Sequence, residues 1–241
     1  MSASNRPRIV RHVESGTTCC DPQWEAAYQR FETPEEEVRK FIRRLTRFGF
    51  PNLPKDSRIA EIFCGRGNGL VALERMGFTH LEGVDLSDDL LHQYRGTATL
   101  HLADCMDLPL TDGAYDVVVV QGGLHHLPTL PQDLDRCLEC VMRILKPQGT
   151  FFVVEPWSTP FLTMVHLIVE QPWMRKIYAK GDALAEMTDR ERVTYEQWLN
   201  QPDAIMSVFN RYFVAKTARK RWGKLIYAGI PRRHDPSPGQ H

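Results

Sequence analysis

Short apolar runs alternate with amphipathic segments through the middle of the chain. The runs predict strands at 58–63, 81–85, 98–102, 115–121 and 149–155, and the segments predict helices at about 68–77, 88–95 and 132–146. Val117–Val120 is continuously apolar, which is typical of a central parallel strand covered on both faces. Strands alternating with helices indicate that residues 57–156 form a doubly wound α/β core, with ligands at the carboxyl ends of the strands.

Different patterns flank this core. Residues 1–20 are predicted to be a flexible arm, residues 21–56 a helical cover, and residues 234–241 a frayed polar tail. The first helix of the cover carries Trp24 and Tyr28 on one face. These two rings either cover the edge of the sheet or close over a cofactor.

The alternation stops after the fifth strand. Residues 157–205 read as apolar helices above the ligand crevice, and we interpret them as a lid that either packs on the sheet or contacts an apolar substrate. Residues 206–233 are predicted to form a hairpin that completes the sheet. Its strands are expected at Arg211–Thr217 and Trp222–Ile230, around a basic turn at Arg219–Arg221.

Composition and charge limit the class of protein. The 241 residues suit one domain with an elaboration, and 30 basic residues balance 30 acidic ones, so nucleic acid is an unlikely partner. The first residues lack the apolar core of a signal peptide, and no apolar stretch is long enough to span a bilayer. The six cysteines suit free thiols in a reducing compartment. We therefore expect a cytoplasmic protein without a transmembrane segment.

The loop after the first strand carries three glycines at alternate positions, Gly65, Gly67 and Gly69. Glycine lets a loop bend sharply or lets a ligand approach the backbone. The helix that follows points its free N–H groups and its positive dipole end into the same crevice. The second strand ends at Asp85, about twenty residues after Gly65, which is the spacing for an acid that binds a ribose hydroxyl pair.

Four motifs follow one another in the core: the glycine loop, Asp85, Asp104 after the third strand, and Leu145–Gly149 before the fifth. Their order and spacing resemble those of class I S-adenosylmethionine (SAM)-dependent methyltransferases over roughly residues 58–156. The resemblance implies a Rossmann-like, seven-stranded sheet with an antiparallel last strand, SAM as cofactor and S-adenosylhomocysteine (SAH) as product. An NAD-binding Rossmann domain is the alternative, but it normally carries Gly-x-Gly-x-x-Gly and lacks the last two motifs.

The same resemblance implies roles for individual polar residues. Glu61 would face the methionine ammonium, and Asp85 would accept both ribose hydroxyls. Asp104 would accept the adenine amino group, and Gln121 would lie beneath the sulfonium. Without a cofactor, Glu61 would only cap the loop, and Asp104 would only form a turn.

Gly65 and Gly67 would leave bare backbone against the cofactor. Neighbouring residues complete the predicted cofactor site: Cys64, Asn68, Leu86 and Cys105. One position departs from the family pattern, because Phe63 stands where the first glycine of the loop is expected. The sequence Phe-Cys-Gly at this point also occurs in nucleic-acid C5-methyltransferases and RNA uridine methyltransferases.

The segment after the fourth strand, Gln121–Pro128, bears on the methyl acceptor. It lacks the Asp/Asn-Pro-Pro-aromatic motif of enzymes that methylate base amino groups, and no Pro-Cys nucleophile of a C5-methyltransferase occurs in the chain. The Leu-His-His-Leu pattern instead resembles small-molecule methyltransferases, including those that act on quinone precursors and natural products. We expect methyl transfer to oxygen or carbon of a small organic acceptor. The alternatives are an RNA or tRNA methyltransferase, suggested by Phe63-Cys64-Gly65 and the basic turn, and a SAM-binding protein without catalysis.

A histidine and a glutamate are candidates for catalysis. His125, or alternatively its neighbour His126, is placed to remove a proton from the acceptor, because an imidazole of ordinary pKa suits that task at neutral pH. Glu155, at the end of the fifth strand, would orient polar groups of the substrate. The alternatives are a histidine that holds the loop and a carboxylate that caps the first lid helix. Cys137 and Cys140 share a helix face, but no second pair completes a tetrahedral set, so no metal is expected.

Overall fold

A mixed sheet runs through the computed structural model, which describes residues 7–14, 22–169 and 179–232. The strands in this part of the chain are Arg8–Arg11 (β1), Arg58–Ile62 (β2), His80–Asp85 (β3), Thr99–Leu102 (β4), Tyr115–Gln121 (β5), Leu145–Pro156 (β6), Phe213–Arg221 (β7) and Lys224–Pro231 (β8). Their spatial order is β1-β4-β3-β2-β5-β6-β8-β7. Strand β8 runs antiparallel to both of its neighbours, whereas β1 to β6 pair in parallel. The doubly wound sheet with an antiparallel last strand is confirmed.

Helices cover both faces of this sheet. The described α-helices are Pro22–Phe31 (α1), Pro34–Arg47 (α2), Asn68–Arg75 (α3), Asp88–Leu91 (α4), Gln132–Ile144 (α5), Pro160–Val169 (α6), Ala179–Arg190 (α7), Arg192–Asn200 (α8) and Pro202–Tyr212 (α9). Val118 and Val120 pack in one core cluster with α5 and α9, and Val117 and Val119 pack in another with α3. Burial on both sides explains why this strand is apolar at every position.

The sheet gains an eighth strand from the segment predicted to be a flexible arm. Arg8–Arg11 pairs in parallel with β4, from Arg8 opposite Thr99 to Arg11 opposite Leu102. The pairing continues where the His12 N–H donates to the Leu102 carbonyl at 3.0 Å. The expectations of seven strands and of an unstructured arm are therefore wrong at these residues. A four-residue strand with two apolar positions gives too weak a pattern, because its partner is distant in sequence.

The C-terminal hairpin differs from its prediction in two respects. The basic residues Arg219–Arg221 lie within β7, and the turn is formed by Trp222 and Gly223, both at positive φ (+53° and +70°). Two consecutive residues of positive φ suit a two-residue hairpin loop. In addition, residues 206–212 belong to α9 and not to the hairpin, because Val208 and Phe209 are buried in the core.

Helices α6 to α9 follow β6, where a lid was predicted. Trp198 of α8 is fully buried, and its Nε1 donates to the Pro156 carbonyl at 2.8 Å, which ties this region to the end of β6. Residues 170–178 of the predicted lid and the predicted tail at 234–241 lie outside the described residues. Within the described part, no helix combines the length and apolar character needed to cross a bilayer.

Candidate active site

A cavity of about 350 Å³ lies at the carboxyl ends of β2 to β5. Nine of the ten predicted cofactor residues line it: Glu61, Cys64, Gly65, Asn68, Asp85, Leu86, Asp104, Cys105 and Gln121. The cover and the loop after β5 supply most of the opposite wall: Trp24, Tyr28, Glu37, Phe41, Gly122, His126, Leu127 and Pro128. The predicted cofactor residues are thus brought together at the end of the sheet where ligands were expected.

The glycine loop turns sharply between β2 and α3. Phe63, Gly65 and Gly67 all have positive φ, and the Gly67 N–H donates to the Cys64 carbonyl at 2.8 Å. Gly67 does not line the cavity. A Cβ at this position would lie 2.3 Å from the Tyr94 ring, so the missing side chain serves packing below the loop.

Asp85 holds the loop from the neighbouring strand. Its carboxylate accepts hydrogen bonds from the Gly65 N–H at 2.7 Å and the Ser87 N–H at 2.9 Å. Burial raises the pKa of Asp85, while these backbone hydrogen bonds oppose the change. Because an ionised carboxylate offers about four acceptor positions, capacity remains for a pair of hydroxyls in the cavity.

Glu61 is 3% exposed, and one of its oxygens has no partner. Oε1 accepts from Gln121 Nε2 at 3.2 Å, and the Gln121 Oε1 accepts in turn from Arg44 Nη1 at 2.9 Å. Glu61 Oε2 is buried, and no hydrogen bond of good geometry reaches it from the described residues, although the Leu70 N–H lies close enough to lower the pKa of the carboxyl. Burial, reinforced by the charge of Glu37 and opposed by Gln121, raises the pKa of Glu61 to about 8. A bound ammonium group would satisfy the orphaned oxygen and stabilise the ionised form, so the site fits the methionine end of SAM.

The two thiols of the predicted cofactor site are part of the hydrophobic core. Cys64 is buried, and burial raises the pKa of its thiol well above the ordinary value. A hydrogen bond with Cys137, together with burial, raises the pKa of Cys105. Both are therefore protonated at neutral pH and are poor nucleophiles. Asp104 accepts from the Met106 N–H at 2.8 Å, which leaves its carboxylate at the cavity wall.

The cover closes one side of the cavity through aromatic contacts. The rings of Trp24 and Tyr28 stack at 5.2 Å, and the Trp24 ring meets His126 edge-on at 5.9 Å. Glu37 accepts hydrogen bonds from Tyr28 and, at 2.6 Å, from Asn68 at the start of α3. Glu37 was not among the residues predicted from the sequence. Its position beside the apolar Val38, on the buried face of α2, is the feature that could have indicated a functional carboxylate.

The two predicted catalytic residues lie together but do not line the cavity. His125 is 7% exposed and Glu155 only 1%. Glu155 accepts hydrogen bonds from His125 Nδ1 at 2.7 Å and from the N–H groups of Gly123 and Leu124 at 2.8 and 2.9 Å. Burial lowers the pKa of His125, but the hydrogen bond and charge of Glu155 outweigh it, so the net shift is upward. Glu155 thus fixes the loop after β5.

His126 is the imidazole of this pair that lines the cavity. Desolvation, together with the charge of His125, lowers the pKa of His126, although 38% of its side chain is exposed. Its Nδ1 lies 3.4 Å from Oε2 of Glu191, the residue that immediately precedes α8. Donor atoms of His125, His126 and Glu191 lie within 4.8 Å of one another, so this group could hold a metal ion. No sequence pattern indicates Glu191, because it is far from the histidines along the chain.

Comparisons with known proteins identify relatives of the domain that carries this site. A protein-family profile described as a methyltransferase domain matches residues 60–153. A demethylmenaquinone methyltransferase of Symbiobacterium thermophilum is 30% identical over 115 residues, which are 43% of this chain and 43% of the relative. A ubiquinone/menaquinone biosynthesis C-methyltransferase of Geotalea daltonii is 28% identical over 126 residues, which are 46% of this chain and 51% of the relative. The chain spans about half the length of these curated relatives.

Solved structures share the fold at low sequence identity. A Pyrococcus horikoshii protein has a TM-score of 0.66 and 18% identity, with 88% of this chain and 100% of the other covered. A geranyl diphosphate methyltransferase in complex with SAM has a TM-score of 0.59 and 12% identity, with 94% and 97% covered. These structures support the fold alone. The profile match and the curated relatives show a methyltransferase domain of the class I SAM-dependent type at residues 60–153, for which SAM is the typical methyl donor.

Proposed function

We propose that this protein transfers the methyl group of SAM to an oxygen or carbon atom of a small organic acceptor that carries an apolar ring. The observation that carries the proposal is the orphaned carboxylate oxygen of Glu61, buried in the same cavity as Asp85 and Asp104. The Glu61 carboxylate at one end of the cavity suits an ammonium group, and the Asp85 carboxylate further along can accept hydrogen bonds from ribose hydroxyls.

The residues of this chain would hold the cofactor by charge and by hydrogen bonds. Glu61 would pair with the ammonium group, and Asp85 would accept the two ribose hydroxyls while keeping its bonds to the loop. Asp104 would accept the adenine amino group. SAM supplies an electrophilic methyl on a sulfonium, so the protein's main tasks are to align the acceptor and exclude water.

The opposite wall of the cavity supports an apolar acceptor. Trp24, Phe41, Leu127 and Pro128 present apolar surface there, and Phe63 adds a further ring. The relatives named above are quinone methyltransferases, and a geranyl diphosphate methyltransferase shares the fold. We infer an isoprenoid or quinone-like ring as the acceptor for this chain.

His126 is the polar group at the acceptor end of this wall. The lowered pKa of its imidazole favours the unprotonated ring, in which one nitrogen presents a lone pair. A phenol or enol acceptor becomes nucleophilic when its hydroxyl proton is lost, and a lone pair close to that hydroxyl favours the loss. His125 cannot take this role directly, since it lies behind the wall.

The test is calorimetric titration of the full chain with SAM and SAH. Asp85→Ala is expected to weaken both about 100-fold, because it removes two hydrogen bonds to a charged acceptor. Asp89→Ala, an exposed acid four residues away, is the matched control and is expected to bind normally. Asp85→Asn keeps the side-chain volume if the alanine variant does not fold. Failure of the wild-type protein to bind either ligand would contradict the proposal.

A screen for turnover then decides the acceptor class. Naphthol and quinol acceptors with isoprenoid chains are compared with short polar phenols and with tRNA, using SAH release as the readout. We expect turnover with the apolar ring acceptors. Methylation of tRNA alone would establish the RNA enzyme, and SAM binding without turnover of any acceptor would favour a binding protein.

A further inference from the structure

Three side chains from two distant parts of the chain converge beside the cavity. His125 and His126 come from the loop after β5, and Glu191 precedes α8. We propose that His125 Nε2, His126 Nδ1 and the Glu191 carboxylate bind a divalent first-row transition metal ion of the zinc class. Two imidazoles and one glutamate form a ligand set that zinc takes in catalytic sites with an open fourth position. This inference revises the expectation from the sequence that no metal is bound.

The spacing of the donor atoms suits such an ion. Metal–ligand bonds of about 2.1 Å put the donors of a tetrahedral site about 3.4 Å apart. Glu191 Oε2 lies 3.4 Å from His126 Nδ1 and 3.9 Å from His125 Nε2. No pair in the group exceeds 4.8 Å. Shifts of a few tenths of an ångström would therefore bring the Glu191 contacts to ligand spacing.

Glu155 prepares His125 for this task. Its carboxylate binds His125 Nδ1 at 2.7 Å, which fixes the proton on that nitrogen and leaves Nε2 facing Glu191. Metal-binding histidines in proteins are commonly held in this way by a carboxylate on the other ring nitrogen. Because Glu155 is also bonded to the backbone of the loop, the orientation of the ring is set by β6.

Glu191 Oε2 is buried, and no hydrogen bond of good geometry reaches it from the described residues, although the Trp24 indole and two imidazoles approach it. Burial raises the pKa of Glu191, while the charge of His125 and the indole of Trp24 oppose the change. A buried carboxylate oxygen without a partner is costly. A bound dication would satisfy this oxygen and balance the charges of Glu155 and Glu191 together.

The role of the ion follows from the proposed function, on which this part rests. Since His126 lines the cavity, an ion held there would lie beside the acceptor. With Nδ1 as a ligand, the His126 ring would no longer take the acceptor's proton; the ion would instead bind the oxygen of a phenol or enol acceptor, whose proton passes to solvent. An electron pair of the resulting anion then forms the bond to the methyl carbon, and the electrons of the broken carbon–sulfur bond stay on sulfur as the thioether of SAH.

Metal binding by the full chain is tested without turnover. Metal-stripped protein is titrated with Zn²⁺ by calorimetry and with Co²⁺ by visible absorption, which distinguishes nitrogen and oxygen ligands from thiolates. We expect one ion per chain, a spectrum without thiolate bands, and binding weakened at least about 100-fold in Glu191→Gln and in His126→Ala. Glu196→Gln, which changes an exposed glutamate of α8, the helix that Glu191 precedes, is the matched control and is expected to bind the ion like the wild type.

Circular dichroism and SAH titration check each variant for folding and for an intact cofactor site. Absence of Co²⁺ binding, thiolate bands, or equal binding by wild type and both variants would overturn the metal site. Those results leave SAH binding and turnover untouched, so they are distinguishable from failure of the methyltransferase proposal. If one variant does not fold, the other gives the decision.

Discussion

The ring of Phe63 occupies the space beside Gly123 that a side chain at residue 123 would need. A Cβ built on Gly123 would lie 2.3 Å from both Cβ and Cγ of Phe63. Phe63 also has a φ of +59°, in the glycine loop where the family pattern has a glycine. The large residue in one loop and the glycine in the other are therefore a matched pair, which joins the cofactor loop to the loop that carries the histidines.

Gly123→Ala is expected to destabilise the protein by about 1–3 kcal/mol, because the new methyl group overlaps a ring that other residues hold in place. Urea unfolding followed by circular dichroism measures the change. Phe63→Gly in the same background is expected to remove most of the penalty, since it clears the overlap and relieves the positive φ. Strictly additive effects of the two substitutions would show that the two residues do not interact.

Glu61 should make stability depend on pH. Because burial raises the pKa of Glu61 from 4.5 to about 8, the native protein binds this proton more tightly than the unfolded chain does. The stabilisation is complete below pH 4.5 and is lost as pH rises through about 8. Glu61→Gln is expected to flatten this part of the profile, measured by urea unfolding across the range. A variant profile with the wild-type slope would assign the slope to other groups.

Cofactor binding should release a proton. At pH 7 Glu61 is mostly protonated in the free protein, and an ammonium group beside it would lower the pKa of the carboxyl. Calorimetry in buffers with different ionisation enthalpies is expected to show release of on the order of one proton per SAM bound. Glu61→Gln provides the comparison, since it has no proton to release. Equal proton release by both proteins would mean that Glu61 does not meet the ammonium.

Glu155→Gln should loosen the loop after β5. The Glu155 carboxylate now accepts three hydrogen bonds, from the Gly123 and Leu124 N–H groups and from His125. In the glutamine variant the NH₂ group would face one of these donors, and that hydrogen bond would be lost. We expect a loss of about 2–4 kcal/mol in the free energy of unfolding. Glu139→Gln, an exposed site on α5, is the control for a general effect of losing one charge. Stability equal to that of the control would rule out the proposed anchoring role.

The sheet was predictable where its strands are buried. The continuous run Val117–Val120 and the motif Leu145–Gly149 mark two neighbouring strands whose sequence reflects contacts on both faces. The two edge strands of the sheet were harder to predict from the sequence. Arg8–Arg11 is only four residues long, and the basic Arg219–Arg221 looks like a turn although it forms an exposed edge strand. At an edge, polar residues are compatible with a strand, so polarity does not separate strand from turn.

The part of the site that lies at the ends of the strands could be predicted from the sequence. The residues proposed for the cofactor follow the carboxyl ends of consecutive strands, so their order along the chain gives their position. The sequence could not show which of His125 and His126 lines the cavity, because adjacent residues in a short turn point in different directions. Glu191 reaches the site only through the packing of α8 against the loop, a contact between segments far apart in sequence.

The helical cover and the sheet supply different halves of the cavity, so substitutions in one need not affect the other. Trp24, Tyr28 and Phe41 come from helices that precede the core, whereas the glycine loop and its acids are built into the sheet. A population of variants could thus alter the shape of one wall while the donor-binding half stays constant. The bond between Glu37 and Asn68 crosses the seam between the two parts. A chimaera that joins a different pair of cover helices to this core would need to keep that hydrogen bond. The bond therefore limits which junctions between cover and core are compatible with folding.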